Sequence, residues 1–318
     1  MSATPAALSD LDAAALLDDI EAFEAALEAG GGPIAVVGPP FAGRRRVLDH
    51  AASALDVSPT RLDPSTDRET LIGEGPLVVD DCQHLYDRRV GGFEPLTDAL
   101  DALAGTSTPV VTGWNAHAWS YLDAARNVED VFTHVFSVRK LPSDELATFV
   151  RERSTTLPTF RHDDPDADLL TVKERSLGNG GLTVPIPVVD RDRLRALFEA
   201  TVEPETAVFD HLTDAADGNP GVALALWERG RSGGEMRPND VDPPTVDLDH
   251  RGAFLLRIVL SQGVVDERAL ADRFGNALER PLGRLDRADI VTRADGTVRL
   301  DPVGVPAAVA VTEQWGFL

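Results

Sequence analysis

The chain is 318 residues long and contains one cysteine, Cys82, so neither a disulfide framework nor a multi-cysteine metal site is available to it. Lysine is almost missing. Of 30 basic residues only Lys140 and Lys173 are lysines, against 53 acidic residues, and the formal net charge is −23. No apolar run approaches the ~20 residues that a membrane helix needs. Met1 to Asp10 carries no basic residue and no apolar core, so no secretion signal is expected there and the cytoplasm is the expected location. Aromatics are sparse at 6%, yet 43% of the residues are hydrophobic, enough for a packed core and too many for a disordered chain.

The acidic residues are spread over nearly every segment instead of forming a tail. A scattered acidic surface with few lysines resembles the proteins of salt-loving archaea, in which concentrated KCl screens the self-repulsion. On that reading the charge says little about partners and does not exclude nucleic acid. The alternative is an acidic protein with a basic partner.

Apolar periodicity predicts an α/β core over 1–140. Residues 9–29, capped by Ser9, read as an amphipathic helix that Gly30, Gly31 and Gly32 terminate. Ile34–Val37, Leu77–Val79, Pro109–Thr112 and His134–Val138 are short unbroken apolar runs, as in buried parallel strands, and a weaker strand is placed near Thr60–Leu62. Helices are expected over Arg44–Leu55 and Glu94–Leu103. Strands alternating with helices indicate parallel βαβ units. Residues 141–230 read as a helical lid. Its helices begin at Ser143 and cover 190–201, 203–216 and 220–229, and a hairpin or loop excursion interrupts them over 154–190. A Gly/Pro/Asp-rich linker spans 231–249, and a small separate domain spans 250–318.

Four motifs bear on chemistry. First, the strand Ile34–Val37 runs into Gly38-Pro39-Pro40-Phe41-Ala42-Gly43-Arg44-Arg45 and then a helix. That is the context of a phosphate-binding loop, in which backbone N–H groups and the helix N-terminus face phosphate oxygens. The spacing matches G-x-x-x-x-G-K-[ST], with Arg44 in place of lysine and Arg45 in place of the hydroxyl that ligates Mg2+. The bland alternative is a Gly-rich turn with no ligand. Second, Leu77-Val-Val-Asp80-Asp81 ends a strand in two carboxylates, which at the carboxyl edge of a parallel sheet face the ligand crevice. Third, Val110–Asn115 ends the next strand in polar residues. Fourth, Asp217-Gly-Asn219-Pro220-Gly-Val-Ala-Leu opens a helix, for which ordinary N-capping is a sufficient alternative.

In this order the four motifs resemble P-loop NTPases of the AAA+/STAND group, including archaeal initiator ATPases. The resemblance covers about residues 20–230. It implies a five-stranded parallel ATPase core with a helical lid. It also implies ATP or ADP bound at Gly38–Arg45, Mg2+ held by Asp80, and an attacking water directed by Asp81. Asn115 would be the γ-phosphate sensor, and Asn219 and Pro220 the lid turn. With both loop positions replaced, hydrolysis is expected to be slow or absent.

Residues 252–301 give three helices and a hairpin turning at Asp295-Gly296, which resembles a winged helix–turn–helix domain. Arg280, Arg284 and Arg287 on its third helix and Arg293 on the wing are the candidate DNA contacts, interspersed with Glu279, Asp286 and Asp289. Two functions follow: a nucleotide-responsive regulator signalling through the winged helix, or a pseudo-ATPase adaptor or DNA-binding regulator without turnover.

Overall fold

The computed structural model describes residues 12–66, 75–89, 91–162, 170–177, 182–189 and 202–317. Five strands form one parallel sheet in the order β2-β3-β4-β1-β5: β1 Pro33–Gly38, β2 Thr60–Arg61, β3 Leu77–Asp80, β4 Val110–Asn115 and β5 His134–Ser137. The α/β class and the parallel sheet are as expected. Alternation along β1 shows how both faces are covered. Ile34 and Val36 enter one apolar cluster with Val47, Leu48 and Ala51 of α2 (Arg44–Ala54). Ala35 and Val37 enter the other with Leu96 of α3 (Glu94–Ala104) and Ala118 and Leu122 of α4 (Ala116–Arg126). A strand buried on both faces has no polar side to alternate with, which is why these segments read as unbroken apolar runs.

The helices after β1 and β4 leave on opposite faces although the two strands are neighbours paired from Pro33↔Val110 to Gly38↔Asn115. Such a reversal opens a crevice at the carboxyl ends of the two strands. Gly38, Asp80 and Asn115 all end strands there.

The expected continuous helix over 9–29 is corrected. A single 3-10 turn, Ala13–Ala15, is capped by Asp12, and α1 (Ile20–Ala29) starts only after Asp19, whose carboxylate accepts from Ala22 N. Between them Leu17 bridges to Val138 and Leu16 O accepts from Arg139 N, so the segment is drawn onto the sheet edge instead of continuing the spiral. Ser9 lies outside the described residues. Helix α4 carries no separate expectation in the sequence because its apolar face follows directly on β4 without a turn.

Helices α5 (Ser143–Arg153), α6 (Pro204–Ala216) and α7 (Pro220–Gly230) pack together beside the sheet around stacked Phe209 and Trp227, ring centroids 5.2 Å apart. The 154–190 excursion contains β6 (Thr159–Phe160) and an antiparallel pair, β7 Leu170–Leu177 and β8 Leu182–Val189. The helix expected over 190–201 lies outside the described residues. The Gly/Pro-rich segment 231–249 packs down: β9 (Glu235–Met236) pairs with β6, and Met236, Val241 and Leu248 are buried.

The last segment has α8 (His250–Gln262), β10 (Val264–Asp266), α9 (Glu267–Phe274), α10 (Glu279–Arg287), β11 (Val291–Ala294), β12 (Thr297–Leu300) and α11 (Val305–Gln314). The hairpin is present and β10 joins it as a third antiparallel strand. Among the described residues no helix is long and apolar enough to cross a membrane.

Candidate functional site: a phosphate-type loop closed by its own arginine

The loop after β1 has the shape that its glycines predict. Gly43, the residue before α2, has φ +98°, and a Cβ there would lie 2.8 Å from Leu16 Cδ1. Only glycine meets both demands. Helix α2 has no side-chain N-cap bond, so its first N–H groups are presented to the loop as an anion site requires. Phe41 holds φ +66°, a left-handed conformation that costs a bulky residue roughly 1–2 kcal/mol.

The turn before α7 (Pro220–Gly230) stabilises this strained position. Asn219 Nδ2 donates to Pro40 O at 2.8 Å and Gly221 N donates to Phe41 O at 3.2 Å. A Cβ on Gly221 would lie 2.5 Å from that same Phe41 oxygen. Asn219 Oδ1 meanwhile caps α7 by accepting from Gly221 N and Val222 N, and Pro220 takes the first helical position. The turn therefore does both things: it caps its helix and it clamps the loop.

Arg44 is bonded within the chain to the two carboxylates that follow β3. Its Nε donates to Asp80 Oδ1 at 2.9 Å, and its Nη2 lies 2.8 Å from Asp80 Oδ1 and 2.6 Å from Asp81 Oδ1. Arg61 Nε holds the other Asp81 oxygen at 2.6 Å, and Gln83 Nε2 donates to Asp81 Oδ1 at 2.9 Å. Arg45 Nε stands 3.8 Å from Asp80 Oδ2, with nearly half of its side chain exposed. The Arg44, Asp80 and Asp81 side chains are only about a tenth exposed. Burial alone would push the Asp81 carboxyl up; Arg44, then Arg61, with the Gln83 amide, outweigh it and hold the group at about 2. Burial pulls the Arg44 guanidinium down, and Asp80 and then Asp81 more than compensate, so its pKa is raised.

This donor set does not fit Mg2+. Both carboxylates are bonded to guanidinium groups, Arg45 cannot ligate, and no cluster of three His, Cys, Asp or Glu among the described residues could hold a metal ion. An anion fits better: Gly43, the uncapped start of α2 and the exposed Arg45 supply donors without a competing acid on the helix's first turn.

Asn115 sits at the crevice but is engaged elsewhere. Its Oδ1 accepts from His117 N to cap α4, its Nδ2 donates to Leu260 O of α8 at 2.8 Å, and its backbone N donates to Gln83 Oε1. Gln83 Nε2 also approaches Gln262 O at 3.5 Å, and Arg257 Nη2 donates to His117 O at 2.9 Å. The last turns of α8 are thus bonded to the strand ends that carry Asp81 and Asn115. Burial, then Arg257, depresses His117 to about 4, so it is neutral at ordinary pH.

Several of these residues lack a sequence signal. Gly113 has one, a glycine inside an apolar strand. A Cβ there would lie 2.5 Å from both Asp80 Oδ1 and Leu48 Cδ1, so the absent side chain is what lets the carboxylate tuck under α2. Arg61 reaches Asp81 across 20 residues, Gln83 reaches Asn115 across 32, Arg257 reaches His117 across 140, and Leu16 lies far in sequence from Gly43.

The candidate DNA contacts divide. Arg280 and Arg287 are exposed on α10. Arg284 donates to Asp247 O at 3.0 Å, and Arg293 on β11 is bonded to Glu267 and Glu279.

No protein-family model matches the chain, and no curated protein does. Among solved structures, it is similar to a point variant of Thermotoga maritima RuvB at 15% identity, covering 91% of this chain and 94% of that one with a TM-score of 0.40. A Walker-type ATPase of Pyrococcus abyssi is similar at 12% identity, 95% and 99% coverage and TM-score 0.40. Aeropyrum pernix ORC2 is similar at 10% identity, 99% coverage of each chain and TM-score 0.38. All three scores are below 0.5, so the fold stated above rests on this chain's own strand order and connections.

Proposed function

We propose that this protein is an ATPase-like regulator of the P-loop AAA+/STAND type whose phosphate loop responds to ATP or ADP without Mg2+-dependent turnover, and whose C-terminal module acts as a winged helix reporting the state of that loop. The observation that carries this reading is the Arg44 guanidinium bonded to both Asp80 and Asp81. A hydrolysing site needs those carboxylates for the metal and for the attacking water. Here Arg44, with Arg61 on Asp81, neutralises them, and displacing Arg44 would leave the buried Asp80 with only Arg45, at 3.8 Å, for a cation among the described residues. Phosphates would instead meet the backbone at Gly38–Gly43, the start of α2 and Arg45.

The bonds from Asn115 and Gln83 to α8 supply a route from loop to C-terminal module, because a shift of Asp81 is transmitted through Gln83 to Gln262. Partners would be a protein or DNA acting through that module; for DNA the exposed Arg280 and Arg287 are the contacts best placed. A nucleotide-independent adaptor is the second reading, favoured by the closure of Asn219 and Gly221 on the loop.

Titration of labelled ATP and ADP into the protein in multimolar KCl tests the pair. The proposal expects saturable binding that is unaltered by Mg2+ and weakened by Arg45→Ala. Absence of binding selects the adaptor, and Mg2+-enhanced binding abolished by Asp80→Ala rejects both.

A further inference from the structure

Helix α10 (Glu279–Arg287) buries Leu282 and Leu285 and turns its opposite face outward. Gly283 is at the centre of that outward face. Glu279 and Arg287 lie four residues to either side of it, on one ridge of the helix, and Arg280 and Asp286 lie three residues to either side. All four charged residues are exposed. The side chains of Arg280, Asp286 and Arg287 enter no hydrogen bond or ion pair among the described residues. Glu279 is reached by Arg293 of β11 at 3.3 Å, yet 70% of its side chain stays exposed, which leaves room for a second cation. Arg284 is turned away from this face and bonded to Asp247 O.

Among the described residues nothing calls for glycine at 283. The position is helical, and a Cβ there would meet only Arg287 Nη1 at 3.6 Å, an ordinary contact with the end of a flexible side chain. Inside a helix glycine is destabilising relative to alanine, so its local effect is a loss. What it permits is the close approach of another backbone. The charges carry the same message. Read from either end about Gly283, the helix is its own complement. A second, antiparallel α10 centred on the same glycine would set Arg287 of the partner subunit beside Glu279, and Asp286 of the partner subunit beside Arg280. Aligning the Glu279–Gly283–Arg287 rows of two such helices is an ordinary ridges-into-grooves packing. The net charge of −23 opposes contact between two copies over most of the surface, whereas this face, with two acids and two arginines, is locally neutral.

We propose that α10 is a docking face for a second copy of this chain, the two helices crossing antiparallel about a two-fold axis at Gly283. The contact is isologous, so each charge pair occurs twice. Nine residues a side make a small interface, and the association is therefore weak and concentration-dependent. It covers Arg280 and Arg287, so a dimer and duplex DNA exclude each other on this face. This names the protein partner that the reading above gives to the C-terminal module. It holds whether or not the phosphate loop binds nucleotide, and its failure would leave the nucleotide reading standing.

Sedimentation velocity of the full chain over a concentration series at fixed KCl tests this. A reversible monomer–dimer equilibrium is expected. Arg280→Glu alone and Asp286→Arg alone should each weaken it by roughly tenfold or more, because the two-fold axis presents every like-charge clash twice. The double change Arg280→Glu, Asp286→Arg re-forms the pairs in the opposite sense and should return the equilibrium to within about threefold of wild type. Gly283→Gln should abolish the dimer while leaving the monomer at least as resistant to denaturant, since glutamine is the better helix former, so that lost association is not confused with a lost fold. A chain that is monomeric at every concentration, a dimer that survives Gly283→Gln, or one that the double change fails to restore overturns the proposal. A monomer that binds duplex DNA through Arg280 overturns it equally and gives the face to DNA.

Discussion

Replacing Arg44 by methionine keeps much of the side-chain volume and removes only the guanidinium. In the intact protein Asp81 is held at about 2 instead of its ordinary 3.8. At about 1.4 kcal/mol per pH unit that is worth about 2.5 kcal/mol at neutral pH. Arg44 is the larger of the two charges responsible, with Arg61 second. Removing it also strands Asp80, buried and 2.8 Å from the lost nitrogen. Breaking a buried pair from one side typically costs about 3–5 kcal/mol. Because Arg61, Gln83 and Arg45 remain, we expect a loss near the lower end, about 3 kcal/mol at pH 7. The sign with pH follows from the depressed carboxylate. Its contribution is fully present above the unfolded value of 3.8 and disappears as pH falls from there toward 2. Denaturant unfolding of wild type and Arg44→Met at several pH values should therefore give a difference of about 3 kcal/mol at pH 7 that shrinks to under about 1 kcal/mol near pH 2. A difference below about 0.5 kcal/mol at pH 7, or one that stays constant to pH 2, would refute the reasoning.

Asn115→Ala removes both the α4 cap and the bond to Leu260 O, so a loss of about 2 kcal/mol and faster proteolytic release of the segment beginning at α8 are expected; unchanged proteolysis would mean that this bond does not hold the module. Gly221→Ala forces a methyl to 2.5 Å from Phe41 O and should cost several-fold more stability than Gly233→Ala, a position with open space, by the same denaturant assay. Cys82 is 1% exposed and burial pushes its thiol pKa up, so a thiol reagent should label it only on unfolding; rapid labelling of the native protein would contradict that packing.

What the sequence made legible was whatever has a local signature. The buried strands announce themselves because β1, β3 and β4 are covered on both faces, and the loop announces itself because Gly38 and Gly43 bracket a strand-to-helix turn. The residues that decide its chemistry do not. Arg44 reads as an imperfect substitute for lysine until Asp80 and Asp81 arrive beside it from β3. Asn115 reads as a strand-end sensor, since nothing near it in sequence indicates that α8 supplies the carbonyl for its amide. The continuous helix expected over 9–29 is a related case: its apolar spacing is real, but Leu16 and Leu17 are taken up by Gly43 and Val138 from other parts of the chain. Local periodicity cannot report a competition that is settled by tertiary partners.

The central claim is that Arg44 stands where a metal ion would otherwise be held. The most direct test is Mn2+ electron paramagnetic resonance on the protein with ADP in multimolar KCl, comparing wild type with Asp80→Asn and with the double change Arg44→Lys, Arg45→Thr. The account predicts no stoichiometric tightly bound Mn2+ in wild type and the appearance of one in the double variant. One tightly bound Mn2+ in wild type, lost in Asp80→Asn, would contradict it.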